Sequence, residues 1–93
     1  MKFEWNENKR QSNKLKHGLD FFDAHLVFTE EALIEEDHRK DYGEQRYNLI
    51  GPLSNRLVIV TFSKRNDSIR IISMRKANQR EQKNYDQKRL ASA

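Results

Sequence analysis

Cysteine is missing from all 93 residues, and the chain has only three glycines and one proline. Each shortage closes off a class of chemistry. Without cysteine there is no disulfide framework and no thiolate metal or redox site, which fits a reducing compartment. None of the glycines falls in a G-x-G-x-x-G or Walker-type loop, so no backbone cradle for a nucleotide's phosphates is in view. His17, His25 and His38 do not have zinc-site spacing, and neither H-E-x-x-H nor G-x-S-x-G occurs, so no metal, no cofactor and no serine-esterase site is expected. Long apolar runs are lacking too, with a mean hydropathy of −1.04. The opening MKFEWNENK has no apolar signal core, so a cytoplasmic setting without membrane association is the expectation. Few side chains remain for a core, enough for one modest domain over residues 1–93.

Charge is abundant, at 34% of residues, and it is unevenly laid out. From Arg75 to Ala93 six bases face two acids, so this tail carries the whole surplus of +4. Glu30 to Glu44 holds seven acids against Arg39 and Lys40, whereas Met1 to His17 holds five bases against Glu4 and Glu7. Basic ends around an acidic middle can steer a polyanion to one face, or can simply be a solvated surface.

Patterning predicts a strand at residues 2–5, then a helix from Glu7 to His17 capped by Asn6 and stopped at Gly18. That helix reads as mostly polar, its surface including Lys9, Arg10, Asn13, Lys14 and Lys16. Residues 19–28, with Asp20 as cap and Phe21, Ala24, Val27 and Phe28 at helical intervals, predict a second helix that buries a face. Strands are predicted at 31–37 (an edge), 46–53, 56–64 (near the middle of the sheet) and 68–76, with turns at Pro52, Ser54 and Asn55 and at 65–68. Short links make these strands antiparallel neighbours. Helix formers return from Ala77 to about Leu90, but Ala77, Tyr85 and Leu90 make a poor apolar stripe, so residues 77–93 read as a weakly anchored basic helix that lies on a partner or stays mobile. The class is α+β: a small antiparallel sheet with two N-terminal helices and a C-terminal helix, packed mainly on one side.

Cations, a titrating histidine and polar residues around a small sheet suit phosphodiester chemistry. Cleaving RNA without a metal requires deprotonating the 2′-hydroxyl, stabilising a five-coordinate phosphorus and protonating the leaving 5′-oxygen. Arginine suits the second task, because its planar fork meets two phosphate oxygens and stays charged. Within RIISMRK, strict alternation places Arg75 with Ile69, Ile71 and Ser73, and Arg70 with Ile72 and Met74 on the other face. On that reading the two do not share a phosphate. Arg75 belongs to the site or pairs with the acidic middle; Arg70 supports an acid or touches a partner or substrate.

FEWNENK with Lys9, Asn13, then Lys16-His17-Gly18, Phe22 and Ala24, the segment DHRKDYGEQR at 37–46, RIISMRKA, and finally Glu81 and Tyr85 occur in an order that resembles the BrnT toxins of bacterial type II toxin–antitoxin systems. The resemblance implies a RelE-like fold over the single domain, ribonuclease activity that inhibits translation, and neutralisation by a BrnA-type ribbon-helix-helix antitoxin whose complex binds operator DNA. Asn6, Leu15 and Met74 depart from the commoner pattern of that family.

The candidate catalytic residues are Lys9, His17, Arg46 and Arg75, and the candidate substrate contacts are Arg70, Lys76 and Tyr47. Lys9 ligates the phosphate, protonates the leaving oxygen, or is a solvated lysine. His17 is an acid or base, or satisfies carbonyls at the end of its helix. Arg46 reaches the face of Arg75, or pairs with Glu44. Tyr47 stacks on a base or packs in the core, and Trp5 packs. Two further readings stand beside the nuclease: a nucleic-acid-binding module without chemistry, and an interaction subunit that holds a DNA-binding partner.

Overall fold

The computed structural model describes residues 2–39 and 41–92. Along the chain run β1 (Lys2–Trp5), α1 (Glu7–His17), a 3-10 helix (Phe21–Val27), β2 (Leu33–Glu36), β3 (Arg46–Leu53), β4 (Arg56–Arg65), β5 (Ser68–Lys76) and α2 (Gln79–Ser92). The five strands form one sheet in the order β1-β5-β4-β3-β2, with β4 central and β2 at an edge. The sheet is mixed rather than antiparallel throughout, because β1 lies parallel to β5. Short turns dictate the orientation of β3, β4 and β5, but most of the chain separates β1 from β5, and so long a connection permits a parallel pair.

The caps follow the sequence closely. Asn6 accepts a bond from the Lys9 backbone N–H at 3.1 Å, and α1 ends at Gly18, whose φ of 69° is the left-handed conformation that glycine adopts without strain. Asp20 caps the next segment by accepting from Phe22 N–H at 3.0 Å, but that segment winds as a 3-10 helix. Its Phe21, Ala24 and Val27, three residues apart, eclipse on one side at three residues per turn and are all buried. Pro52 lies inside β3, past the end of its pairing with β2, where the outer edge is open; the turn itself is Ser54-Asn55.

α1 takes over where β1 stops. The side-chain amide of buried Asn13 donates to Met74 O (2.9 Å) and Leu19 O (3.3 Å) and accepts from Met74 N–H (3.2 Å), pairing the edge of β5 as a further strand would. Asn13 is thus a structural tie and not part of the polar surface. Arg10 is likewise half-buried, bridging Glu7 and Asp20 and lying 5.0 Å from the Phe22 ring centroid. Trp5 packs edge-on against Phe21 and Phe22.

One face of the sheet holds the core: Leu49, Val58, Val60, Phe62, Ile69, Ile71 and Met74 against Leu19, Phe21, Ala24 and Val27. Gly51 belongs there because a Cβ would come within 3.1 Å of Val27 Cγ1. α2 lies on the opposite face, over Asn48, Ile50 and Ile59, so the helices flank the sheet instead of sharing one side. Tyr85 is the buried residue of α2, and its hydroxyl donates to Glu31 O at 2.7 Å. A capping box opens the helix, with Asn78 N–H donating to Glu81 Oε1 (2.9 Å) and Glu81 N–H to Asn78 Oδ1 (2.8 Å).

Candidate active site

A bulge decides which side chains meet. Thr61 pairs with Ser73 but Phe62 pairs with Ile71, so Ile72 is an extra residue in β5. An inserted residue reverses the alternation beyond it. Ile69, Ile71 and Met74 all reach the core face, and Arg70 and Arg75 therefore share the other. The strict alternation that separated the two arginines is overturned. Arg46 joins them, since it pairs with Ser63, which pairs with Arg70, while Ile59, opposite Arg75, lies on the same face of β4 as Ser63. The two rows are four residues apart along β4, roughly 13 Å.

At the Arg75 end lies a groove of about 510 Å³ between the sheet, the end of β2 and the start of α2. Its charged lining includes Arg75, Arg39, Arg80, His38, Glu36 and Glu81. Arg75 is half-buried and grips Glu81 with a two-pronged fork, Nη1 to Oε1 and Nη2 to Oε2, both at 2.8 Å. Its partner is therefore α2 and not the acidic middle. The fork holds the Glu81 carboxyl below the usual glutamate range and raises the Arg75 guanidinium above its own. A smaller, more apolar hollow of about 150 Å³ adjoins it and shares the walls Asn48, Ile59, Glu81 and Asn84. The Asn48 amide oxygen there accepts from the Thr61 hydroxyl at 2.7 Å.

At the other end, the Arg46 guanidinium lies 4.0 Å from the Tyr42 ring centroid and 3.9 Å from Glu44. Arg46 Nε and Ser63 Oγ, on paired residues, are buried without a hydrogen-bond partner among the described residues.

The remaining candidates lie elsewhere. Lys9 is exposed on α1 and His17 half-buried in its last turn, and neither lines the groove. Tyr47 is on the core face, its ring stacked 5.4 Å from Phe62 with Lys64 on the ring at 5.1 Å. Lys76 is exposed at the end of β5, opposite Val58. The groove adds Asp37, His38, Arg39 and Glu81, to which no catalytic part had been given. Two signals for them were present: Asn78-x-x-Glu81 is a capping-box spacing, and Asp37-x-Arg39 is an Asx-turn spacing.

A family model described as "Ribonuclease toxin, BrnT, of type II toxin-antitoxin system" matches residues 5–81. The chain belongs to the BrnT family. The match covers strands β2 to β5 in full and reaches Glu81, so the Arg75–Glu81 fork falls within the BrnT region. Membership of a type II system implies a protein antitoxin as partner. No curated protein matches the chain. Among the described residues no helix is long and apolar enough to cross a membrane.

Proposed function

We propose that this chain is a metal-independent endoribonuclease of RelE-like fold that acts in the cytoplasm, arrests translation by cutting RNA, and is silenced by a BrnA-type ribbon-helix-helix antitoxin whose complex binds operator DNA. The observation that carries the catalytic reading is the placement of Arg46 from β3 and of Arg70 and Arg75 from β5 on one face of the sheet. In this reading Arg75 takes the scissile phosphate in the groove, and Arg46 and Arg70 hold a neighbouring phosphate of the same strand. Arg46 Nε and Ser63 Oγ, without a hydrogen bond among the described residues, are groups suited to that contact. Lys9 and His17, outside the groove, are candidates for contacts with RNA beyond the cleaved bond.

The test uses the folded chain freed from antitoxin. RNA should be cut in excess EDTA, leaving a 2′,3′-cyclic phosphate, and Arg75→Ala should lower the rate about 10²–10³-fold, as loss of a principal transition-state contact does. RNA left intact by protein with a native circular dichroism spectrum overturns the reading.

One observation favours a second reading, a subunit that only binds its partners. In the isolated chain Arg75 and Arg39 each already hold a carboxylate, which leaves the groove near neutrality. Induction without antitoxin separates the two, since growth stops only if the chain is an active toxin.

A further inference from the structure

The loop between β2 and β3 is built around a buried carboxylate. The Asp37 side chain is 1% exposed. It accepts bonds from the Arg39 backbone N–H (3.1 Å), Nε (2.9 Å) and Nη2 (2.8 Å) and from the Tyr42 hydroxyl (3.3 Å). A carboxylate this deep costs several kcal/mol unless it is fully paired. Arg39 is therefore fixed in one place, with Nη1 not engaged by Asp37 and the side chain still 73% exposed, lining the same groove as Arg75. His38 stands beside it in the lining, 78% exposed, with Nδ1 3.5 Å from Glu36 Oε2. That contact engages Nδ1 and leaves Nε2 for another partner.

We propose that His38 is the general acid of RNA cleavage and that Arg39 shares the scissile phosphate with Arg75. The inference rests on the ribonuclease reading and assigns the groups that complete it. A phosphate meets a guanidinium with the same two-oxygen geometry as a carboxylate, so the substrate takes the Arg75 fork from Glu81. The released Glu81 carboxylate accepts the 2′-hydroxyl proton as O2′ bonds to phosphorus. Arg39 and Arg75 meet the charge on the phosphorane oxygens. The P–O5′ bond then breaks with its electron pair on O5′, which takes a proton from His38 Nε2. The products are a 2′,3′-cyclic phosphate and a 5′-hydroxyl. Protonated Glu81 and neutral His38 return to their starting forms by exchanging one proton through solvent.

The charged groups facing His38 are Glu35 and Glu36 from β2, Asp37 and Arg39 from its own loop, Arg75 from β5, and Arg80 and Glu81 from α2. Replacing His38 should therefore remove proton donation to O5′ while leaving the phosphate contacts of Arg39 and Arg75 in place.

The deciding experiment compares two RNA oligonucleotides in EDTA, one natural and one with sulfur in place of the bridging O5′ at the cleaved bond. A thiolate departs without being protonated. His38→Ala, and the size-conserving His38→Gln, should slow cleavage of the natural RNA about 10²–10⁴-fold and recover most of that loss on the sulfur substrate. Arg39→Ala should be slow on both. Glu81→Gln, which keeps the helix cap but neither competes for Arg75 nor accepts a proton, should lower KM and kcat together. Two outcomes overturn the assignment alone: His38 variants as fast as wild type, or equally impaired on both substrates. Wild-type protein that cuts neither RNA overturns the ribonuclease reading itself, and the acid with it.

Discussion

The two faces of the sheet divide the molecule's tasks. Under the 3-10 helix lies the apolar cluster, and its rings interlock: Phe28 meets Phe62 edge-on, with centroids 5.1 Å apart, while Tyr47 stacks on Phe62 at 5.4 Å. Under α2 the buried apolar residues are Ile59, Tyr85 and Ala77, with Leu33 and Ile50 partly buried beside them, and the same face carries Arg46, Arg70, Arg75, Asn48, Thr61 and Ser63. Burying a large apolar side chain contributes about 1.5–3 kcal/mol, while a half-exposed ion pair contributes roughly 0–1. Stability is therefore concentrated on one face, which leaves the other free to hold charges that a compact core would exclude. A single inserted residue, Ile72, makes the division possible by sending Arg70 and Arg75 to the same side.

The widest gap between the faces should appear in truncations. Phe62→Ala is expected to cost about 3–5 kcal/mol, because Phe62 is fully buried and both the Phe28 and Tyr47 rings lose their contact with it. Thermal unfolding should register this as a drop of roughly 4–8 °C per kcal/mol. Ile59→Ala, against a groove that already admits solvent, should cost nearer 2 kcal/mol. Equal losses from the two variants would break the division of labour.

Much of this arrangement was legible in the chain. Strong local signals placed the elements: Asn6 and Gly18 bound α1, Asp20 caps the next segment, and the apolar run in β4 marks it as the central strand. Three features resisted. The 3-10 winding was hidden because spacings of three and four fit α and 3-10 helices alike over so short a segment. The bulge was hidden because nothing in RIISMRK distinguishes an inserted residue from an alternating one; only the register with β4 does. The groove was hidden for a third reason. Its charges come from the β2–β3 loop, β5 and α2, and only tertiary packing brings Arg39, Arg75 and Glu81 together. Asn13 shows the same limit in miniature, since its role depends on an edge of β5 that local pattern does not reveal.

Asn13 joins the two faces at their common border and supplies the next test. Asn13→Ala leaves the Met74 N–H and C=O without that partner at a buried edge, at a cost of about 2–3 kcal/mol. Hydrogen exchange at Met74 should accelerate relative to Val60 on the neighbouring strand. If its protection is unchanged, the amide is not closing the edge of β5.

On the charged face the effects on stability should be smallest and should depend on pH. Arg39's hydrogen bonds hold the Asp37 carboxyl well below the usual carboxylate range, even though its burial acts in the opposite direction. A carboxyl whose pKa is lower folded than unfolded stabilises the fold at any pH above its unfolded value, about 3.9 for aspartate, and that contribution is lost as pH falls through the folded value. Stability should therefore decline below about pH 4, and Asp37→Asn should remove part of the decline while costing about 1 kcal/mol at neutral pH, a small amount because Arg39 is largely solvated. Urea unfolding of both proteins at pH 7 and pH 3 measures the difference. Parallel loss in wild type and variant would mean that acid sensitivity arises elsewhere, at Asp20 or at Glu7, whose carboxyl Arg10 holds down to about 2. Both sit at the α1 end, so the acid-labile part of the molecule would then be the seam between α1 and the 3-10 helix and not the arginine face.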